Sequence, residues 1–350
     1  MRQGQGSMKL KRGFASDNNS GIHPDILQAI ERVNRGHCVG YGDDPFTESA
    51  AVRFREAFGE DVCVYFVFTG TGANVLGLRA LCSPHQSILC SSCSHLNVDE
   101  CGAPENFIGA KLLTVRTGDG KLNPRELEPF LRVKGDPHHS QPAVVSITQA
   151  TELGTVYSRI EIEALGAFAR DNGLYLHMDG ARIANAAASL GCGLRELTRD
   201  AGVDVLSMGG TKSGMMIGEA VLFFNPGLAG QFKYIRKQGM QLASKMRFIS
   251  AQFEAFLNDD LWLKNARHAN AMARRLAEGI REIPGCSITQ KVEANAVFVI
   301  IPRQIEAELR NEYFFYTFDE TGPVIRLMTS FDTDVTDIEG FLAVLKRLLT

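Results

Sequence analysis

The sequence predicts an α/β protein with a large domain, built on a mostly parallel sheet, and a smaller C-terminal α+β domain. Two observations lead to this prediction. Short apolar runs alternate with amphipathic helical segments as far as Phe224, a pattern typical of βαβ units. Beyond that residue the chain is mostly helical over 227–285, and short strands and a last helix follow. We place the domain boundary so that the two domains span 8–258 and 259–350.

The elements of the large domain each have a local signature. Helices are predicted for HPDILQAIERVNRG, where Pro24 suits a first turn, and for FTESAAVRFREAFG, whose apolar residues recur at helical spacing. The strand VCVYFVF (62–68) runs into a loop and a helix, TGTGANVLGLRALC. Apolar runs typical of buried strands follow: SILCSS, KLLTV, AVVSITQ, LYLHM, VDVLSM and EAVLFF. The helices NPRELEPFLRV and RIEIEALGAFARDNG separate several of them, and VKGDPHHSQP (133–142) is a polar loop.

The smaller domain has a different order of elements. Helical stretches, KYIRKQGMQLASKMRFISAQFEAFL and WLKNARHANAMARRLAEGIREI, come first. The short strands SITQKV, AVFVIIP, FFYTF and VIRLMT follow, and the chain closes with the helix DIEGFLAVLKRLL. Strands that succeed one another after a run of helices favour an α+β arrangement.

Composition excludes several classes of protein. The 350 residues contain 37 Lys and Arg against 40 Asp and Glu, so a net charge of −3 gives no basic excess of the kind that nucleic-acid-binding proteins carry. The longest apolar runs, such as ANAVFVIIP from Ala294, are far shorter than the ~20 residues of a membrane-spanning helix. We therefore expect neither a nucleic acid nor a membrane as a partner.

The N-terminus and the cysteines bear on the cellular compartment. The opening MRQGQGS (1–7) lacks a signal-peptide pattern and resembles an expression leftover, with Met8 as the native start. Eight irregularly spaced cysteines, several within apolar strand-like segments, are typical of reduced thiols. Cys90-Ser-Ser-Cys93 has CxxC spacing but no second ligand pair, so no metal site is predicted. We expect a cytoplasmic protein.

Two residues that follow apolar strands are candidates for chemistry. Lys212, in SMGGTKSGM, lies among glycines that let the backbone turn tightly beside a ligand, although a loop lysine can also be merely solvated. Asp179, in LYLHMDGARIANA, lies just beyond a strand, where open α/β sheets bind ligands. The alternative for Asp179 is a helix cap.

Three further patterns add a phosphate site, an aromatic ring and a cation. Thr69-Gly70-Thr71-Gly72-Ala73-Asn74 joins a strand to a helix, and its N–H groups suit a phosphate. The GxGxxG pattern of dinucleotide sites is absent, because Val75 takes the place of the third glycine. His95 is either a ligand neighbour or a packing residue. Arg326, inside the apolar strand VIRLMT, needs a carboxylate from the protein or from a substrate. Together with Lys212 and Asp179, these are the parts of a pyridoxal-phosphate (PLP) site.

The same stretches resemble the L-threonine aldolase family, part of the aromatic-amino-acid β-eliminating lyases with the fold-type-I architecture of PLP-dependent transferases. The resemblance extends from FASDNNSGI to the last helix, through YGDDPFTE, FTGTGANVL, SHLNVDECGAPE, ITQATELGTVY, HMDGARIANA, VLSMGGTKSGM, GEAVLFFN, QLASKMRFISA and VEANAVFV. It implies PLP-dependent aldol cleavage of L-threonine, L-allo-threonine and other L-β-hydroxy-α-amino acids to glycine and an aldehyde. It also implies a homodimer or homotetramer with the site at the subunit interface.

The resemblance assigns a role to each matching residue. Lys212 forms the Schiff base, Asp179 pairs with the ring nitrogen of PLP and His95 stacks on the ring. The resemblance also implies that Gly70 and Thr71 bind the phosphate of the cofactor and that Arg182 and Arg247 belong to the cofactor site. Implied for the substrate are Ser16, Tyr41, Asp99, Glu100, Arg182 and Arg326, the two arginines and Ser16 receiving its carboxylate. Tyr41 and Arg247 lie in motifs that resemble the dimer-interface side of the family site.

One motif departs from the family. Many members have Asn-Thr-His near the substrate hydroxyl, whereas this chain has Gln149-Ala150-Thr151-Glu152. The base that deprotonates the β-hydroxyl must then come from His95, Asp99, Glu100, Glu152 or a bound water. We predict His95, alone or through water and supported by Asp99 or Glu100, because the ordinary pKa of histidine, ~6.5, suits proton transfer at neutral pH.

Other functions fit parts of this pattern. The same cofactor residues serve β-elimination, transamination or decarboxylation, and also an aldolase that prefers β-phenylserine. A non-catalytic binding protein with this fold is an alternative from a different class, and the imine-forming Lys212 argues against it. Release of an aldehyde and glycine, rather than ammonia and an oxo acid, distinguishes aldol cleavage from elimination.

Overall fold

The structure, a computed structural model, describes residues 11–319 and 324–350. It contains a seven-stranded sheet, with the order β1-β7-β6-β5-β4-β2-β3, and a four-stranded sheet, with the order β10-β11-β9-β8. The strands are β1 Cys63–Val67, β2 Gln86–Ser91, β3 Lys111–Val115, β4 Gln141–Thr148, β5 Tyr175–Gly180, β6 Val205–Gly209, β7 Glu219–Phe223, β8 Ser287–Ile288, β9 Ala296–Ile300, β10 Tyr316–Asp319 and β11 Val324–Met328. The interpretation of 1–7 as an expression leftover falls outside the described residues.

The larger sheet is mixed and mostly parallel, as predicted. Strands β3, β2, β4, β5 and β6 run parallel to one another, whereas β7 is antiparallel to both β6 and β1. The register places Thr148 beside Asp179 and Asp179 beside Ser207. The carboxyl ends of β4, β5 and β6 therefore meet, and the loops that follow them converge at one end of the sheet.

Apolar residues cover both faces of this sheet. Successive residues of β4, Val144 and Val145, belong to two different buried clusters, and so do Val205 and Leu206 of β6. Side chains alternate between the faces of a strand, so each cluster lies on one face. This explains why the strands are continuous apolar runs rather than alternating ones.

Helices begin where the local chemistry favours them. In the described part of the chain they are α1 Pro24–Val33, α2 Pro45–Phe58, α3 Gly70–Leu81, α4 His95–Val98, α5 Ala103–Ile108, α6 Pro124–Leu127, α7 Arg159–Asp171, α8 Ile183–Leu190, α9 Leu194–Leu197, α10 Pro226–Ala229, α11 Phe232–Gln238, α12 Arg247–Leu257, α13 Leu261–Arg281, α14 Arg303–Glu312 and α15 Val335–Leu349. At α2, the Asp44 carboxylate accepts hydrogen bonds from the N–H groups of Phe46 and Thr47, at 3.1 and 2.9 Å. Within the described residues no helix has the length and hydropathy needed to cross a membrane.

The C-terminal part packs around its own antiparallel sheet. Its buried cluster includes Phe14, which comes from the other end of the chain and contacts the ring of Phe341, with ring centroids 5.1 Å apart. Helix α13 contributes Trp262 to the core of the large sheet and Leu276 to the C-terminal core, so it joins the two. The boundary at 258/259 stays a prediction.

Three predicted elements are shorter than expected. The helix predicted for KYIRKQGMQLASKMRFISAQFEAFL is divided into α11 and α12, with non-helical chain at 239–246, where Met240 has a left-handed backbone (φ 62°). NPRELEPFLRV becomes α6 and a 3-10 helix, Glu128–Val133, because Pro129 has no N–H to donate to an α-helical bond. SITQKV forms a strand only at Ser287–Ile288. The other strands predicted by apolar runs are present.

Candidate active site

Two adjoining cavities open where the carboxyl ends of β4, β5 and β6 meet. One, of about 300 Å³, reaches Asp179 and Ser207 and is called the sheet cavity. The other, of about 470 Å³, extends to Arg326 of the C-terminal sheet and is called the cleft. Lys212 borders both. The predicted site residues that line these cavities or the narrow space between them are Ser16, Gly70, His95, Asp99, Glu100, Asp179, Arg182, Lys212 and Arg326.

Lys212 lies in a short 3-10 turn, Thr211–Ser213, directly after β6. The neighbouring strand β7 anchors this turn, because the buried carboxyl group of Glu219 accepts the N–H of Gly210 at 2.9 Å. Burial raises the pKa of Glu219 to about 7. Lys212 has no hydrogen bond or ion pair with any described residue, so its amine is available to a molecule in the cavities.

Asp179 lies at the end of β5 with only 4% of its surface exposed. Its Oδ2 accepts a hydrogen bond from Asn74 Nδ2 at 2.8 Å, and its Oδ1 accepts one from the N–H of Ala181 at 2.9 Å. Both bonds fix the orientation of the carboxylate. In the described chain no basic side chain lies within ion-pair distance of Asp179, so this buried negative charge lacks a cation.

The start of α3 offers backbone donors beside the sheet cavity. Thr69 caps the helix, since its Oγ1 accepts the N–H of Gly72 at 3.1 Å. The N–H groups of Gly70 and Thr71 have no acceptor among the described residues, and they lie at the positive end of the helix dipole. A Cβ at Gly72 would lie 2.6 Å from the side-chain Cδ of Gln241, so a larger residue there would displace the end of that side chain. A phosphate group suits such a helix start.

His95 is held between two carboxyl groups at the start of α4. Its Nδ1 lies 2.8 Å from Oε1 of Glu100, whose side chain is fully buried. Its backbone N–H donates to Oε1 of Glu152 at 2.6 Å. The hydrogen bond with Glu100 raises the pKa of His95 above its ordinary value, which favours a charged ring. Asn74 Nδ2 lies 3.3 Å from the same Glu100 oxygen, so a continuous network joins His95 to Asp179.

Arg182 is already paired within the protein. Its Nε and Nη2 donate to the two carboxylate oxygens of Asp17 at 2.8 and 2.9 Å, and Asn295 donates to the same carboxylate at 3.1 Å. Burial alone would raise the pKa of Asp17, but the charge and hydrogen bonds of Arg182 outweigh it and hold the pKa low. The resemblance implies that Arg182 binds the substrate carboxylate. In the structure, one edge of its guanidinium group is already bound to the carboxylate of Asp17.

Arg326 has a different environment, although it borders the same cleft. Its Nη2 reaches the carbonyl of Ala15 at 3.4 Å, and its Nε is buried without an acceptor. No carboxylate within the described ranges pairs with it. Burial, and next the charge of Arg182, lower the pKa of Arg326, and the negative charges of Asp17 and Asp99 do not offset them. The sequence left open whether a carboxylate of the protein or of a substrate pairs with Arg326. The described residues supply no such carboxylate.

The remaining predicted residues have separate positions. Ser16 accepts the N–H of Asn18 at 3.2 Å at the edge of the cleft, and Asp99 is exposed at the end of α4. Thr71 lines a neighbouring cavity beside Met240. Tyr41 and Arg247 lie outside these walls, and Tyr41 is 53% exposed.

Sequence reasoning missed three residues that organise the site. Asn74 orients Asp179, Asp17 pairs with Arg182, and Glu219 anchors the turn of Lys212. Each is a polar residue in or beside an apolar or glycine-rich motif, which was the available signal. Asp17 and Arg182 are separated by 165 positions and Asn74 and Asp179 by 105, whereas Glu219 bonds to Gly210 nine positions away.

The residues present fit pyridoxal phosphate. The buried Asp179 carboxylate lacks a cation, which the protonated ring nitrogen of the cofactor would supply. The free N–H groups at the start of α3 suit its phosphate, and the unpaired amine of Lys212 suits its aldehyde. These three requirements lie around one cavity.

Comparison with known proteins agrees with this geometry. The profile of the family described as "Beta-eliminating lyase" matches residues 13–304. The chain is 50% identical over 324 residues to a low specificity L-threonine aldolase from Pseudomonas aeruginosa, covering 92% of this chain and 93% of that protein. It is 47% identical over 339 residues to a protein with the same name from a Pseudomonas species, covering 96% and 98%.

A solved structure extends the agreement to the fold. A threonine aldolase from Leishmania major superposes with a TM-score of 0.92 at 32% identity, covering 97% of this chain and 100% of that one. The predicted fold-type-I architecture is thereby confirmed. On the match of sequence, fold and cavity, the chain belongs to the beta-eliminating lyase family.

Proposed function

We propose that the protein cleaves L-threonine and other L-β-hydroxy-α-amino acids into glycine and an aldehyde, with pyridoxal phosphate as cofactor. The observation that carries the proposal is the pairing, around one cavity, of an unbonded lysine amine with a buried aspartate that lacks a cation. Its relatives at 50% and 47% identity are named L-threonine aldolases, and the family is PLP-dependent.

The cofactor would be held by residues of the large domain. Lys212 supplies the amine for its aldehyde, Asp179 the negative charge for its ring nitrogen, and Gly70 and Thr71 the donors for its phosphate. His95 borders the same space. When bound, pyridoxal phosphate provides an electron sink for the electron pair of the Cα–Cβ bond.

The protein's own part in the reaction is orientation and proton transfer. Arg326 offers its unpaired guanidinium edge to the substrate carboxylate, and Arg182 stands beside it, fixed by Asp17. Holding the carboxylate sets the rotation about Cα, and orientation of this kind contributes several kcal/mol to a rate. A base must also accept the β-hydroxyl proton as the Cα–Cβ bond breaks.

A preference for β-phenylserine is a second candidate. Tyr316 and Phe318 line the cleft and leave 47% and 40% of their surfaces exposed, and Val98 faces the same space. An aromatic group at Cβ would bury against them. We infer that substrates with a phenyl group at Cβ bind at least as tightly as L-threonine, which competition assays with L-threonine and β-phenylserine measure.

Product analysis tests the proposed reaction. The purified protein with added pyridoxal phosphate is incubated with L-threonine, and acetaldehyde, glycine, ammonia and 2-oxobutanoate are measured together. Aldol cleavage gives acetaldehyde and glycine in equal amounts. Ammonia with the oxo acid would show elimination instead, and no product from any β-hydroxy amino acid would favour the non-catalytic alternative.

We also propose a cytoplasmic homo-oligomer, as a dimer or tetramer, with Tyr41 and Arg247 near a neighbouring subunit's site. The large apolar residues Val39, Tyr41 and Met240 are more than half exposed. The N–H of Tyr41 donates to the carbonyl of Ser244 at 2.9 Å, which joins the chain around Tyr41 to the chain that leads to Arg247. Light scattering tests the assembly, and an active monomer near 38.3 kDa would contradict it. All eight cysteines are free, in keeping with a reducing compartment, and cell fractionation tests the location.

A further inference from the structure

The carboxyl group of Glu152 is fixed at the junction of the two cavities. It follows β4, and its Oε1 accepts hydrogen bonds from the backbone N–H of His95 at 2.6 Å and from Thr148 Oγ1 at 2.8 Å. Two donors on one oxygen leave the carboxyl group little freedom to turn. Its orientation therefore exists before any substrate binds.

The second oxygen of Glu152 is buried and lacks a partner. Among the described residues, no donor reaches Oε2. Glu152 borders a space of about 40 Å³, shared with His95, Asp179, Arg182 and Lys212, which is enough for a water molecule or a hydroxyl group. A buried polar atom without a partner is destabilising. A bound molecule that donates a hydrogen bond to Oε2 would remove this cost.

Burial and a neighbouring negative charge give Glu152 the properties of a base at neutral pH. Burial, and next the negative charge of Asp179, raise the pKa of Glu152 to about 7. A group with such a pKa both accepts and releases protons near neutrality. Titratable and charged side chains surround it on both sides. On the inner side they are His95 with its partner Glu100, Asp179, Arg182 and Lys212, and in the cleft they are Cys93, Asp99, Tyr316 and Arg326.

The base predicted from sequence fits less well. Nδ1 of His95 is occupied by Glu100, and the raised pKa of His95 favours the protonated ring, which cannot accept a proton. Asp99 is exposed to water at the end of α4, and no hydrogen bond to another side chain of the described protein fixes its carboxylate. Glu152 combines a fixed position with an unoccupied oxygen.

From this geometry we propose that Glu152 is the catalytic base that accepts the β-hydroxyl proton of the substrate on Oε2. The O–H electron pair becomes the second bond of the aldehyde carbonyl as the Cα–Cβ bond breaks. The electron pair of that bond stays on the Cα side, for which bound pyridoxal phosphate would supply the electron sink. A proton then returned to Cα completes glycine. The proposal rests on the proposed aldol cleavage and adds a residue to it.

Glu152→Gln tests the assignment, with Glu128→Gln, at an exposed position remote from the cavities, as the matched control. Two reactions are compared in each variant: aldehyde release from L-threonine, and exchange of the α-hydrogen of glycine in heavy water. Exchange uses Lys212, Asp179 and the cofactor but involves no β-hydroxyl. We expect Glu152→Gln to lower aldehyde release by ~10²-fold or more and to change exchange by less than ~3-fold. The increase of kcat with pH through about 7 should also disappear in this variant.

Each other outcome counts against the proposal in a distinct way. Equal losses of both reactions would make Glu152 a positioning residue, and aldehyde release within tenfold of wild type would leave the base to His95 or a water. If the wild-type protein releases no aldehyde, the proposed reaction fails and the role of Glu152 fails with it.

A titration of the protein without cofactor gives an independent readout. Infrared difference spectra are expected to show protonated carboxyl bands that vanish as pH rises through about 7, from Glu152 and Glu219. Glu152→Gln should remove one band and Glu219→Gln the other. If the spectra of the wild-type protein and Glu152→Gln were the same, the assignment would be overturned.

Discussion

The two sides of the site differ in how their polar groups are connected, although each side leaves some buried polar atoms without a partner. On the large-domain side, Asn74 links Asp179 and Glu100, and Glu100 holds His95, through bonds of 2.8, 3.3 and 2.8 Å. On the C-terminal side, Arg326 reaches one carbonyl at 3.4 Å and leaves its Nε without an acceptor. The first side suits a cofactor that remains bound through many turnovers. The second side suits a substrate anion that binds and leaves in each turnover.

The two arginines repeat this contrast within the cleft. Arg182 makes a bidentate pair with the buried Asp17, which fixes a planar cation in one orientation. Arg326 carries the same charge but, among the described residues, donates a hydrogen bond only to the carbonyl of Ala15 and has no carboxylate partner. One arginine is thus a part of the fold, and the other depends on the substrate to complete its surroundings.

The largest effect is expected at Lys212, on the large-domain side. Lys212→Ala removes the only amine that borders both cavities among the described lining residues, so aldehyde release should fall by at least ~10³-fold, or ~4 kcal/mol. The fold should survive, because Lys212 bonds to no described residue. Assays of aldehyde release and thermal unfolding measure both effects. Near-normal release by the folded variant would contradict the Schiff-base role.

Asp179→Asn should follow in size. The amide keeps a hydrogen-bonding shape but not the charge that holds a proton on the ring nitrogen, so the rate should drop by more than ~10-fold, over ~1.4 kcal/mol. Steady-state kinetics with saturating pyridoxal phosphate check this. A rate within tenfold of wild type, with normal stability, would show that Asp179 only caps the following turn through Ala181.

Asp17→Asn should reduce stability as well as activity. Removing one partner of a buried ion pair leaves Arg182 uncompensated, which costs about 3 kcal/mol. Because the pKa of Asp17 is lower folded than unfolded, its contribution is complete above the unfolded value of ~4 and is lost as pH falls through the folded value. Urea unfolding should therefore show the wild-type advantage at pH 7 shrinking below pH ~4. An equal advantage at both pH values would place Asp17 outside the ion pair.

Arg326→Lys should reduce activity but leave stability almost unchanged, and its effect should be smaller than that of Asp17→Asn. An ammonium cannot grip a carboxylate with two parallel hydrogen bonds, so we expect a higher KM and a lower kcat, together about tenfold in kcat/KM. Stability should change little, since Arg326 holds no described ion pair. Unchanged kinetics would mean that the substrate carboxylate lies elsewhere, and a large loss of stability would mean that Arg326 supports the fold.

On the large-domain side, the sequence predicted where the site residues lie better than it predicted which residues they contact. Lys212 and Asp179 follow apolar strands, and parallel strands bring such residues together at their carboxyl ends, so their proximity was predictable. Asp17 and Asn74 were not, because pairing across 165 and 105 positions leaves no periodic signal. The protonation of Glu152 depends on burial and on Asp179, which only three-dimensional packing defines.

The attachment point of the cofactor tests the central claim most directly. The protein is loaded with pyridoxal phosphate, reduced with borohydride, digested and analysed by mass spectrometry. We predict one phosphopyridoxyl group per chain, on the peptide that contains Lys212, and its loss in Lys212→Ala. A label on another lysine, or no label on a protein that still releases aldehyde, would contradict a site built around Lys212 and Asp179.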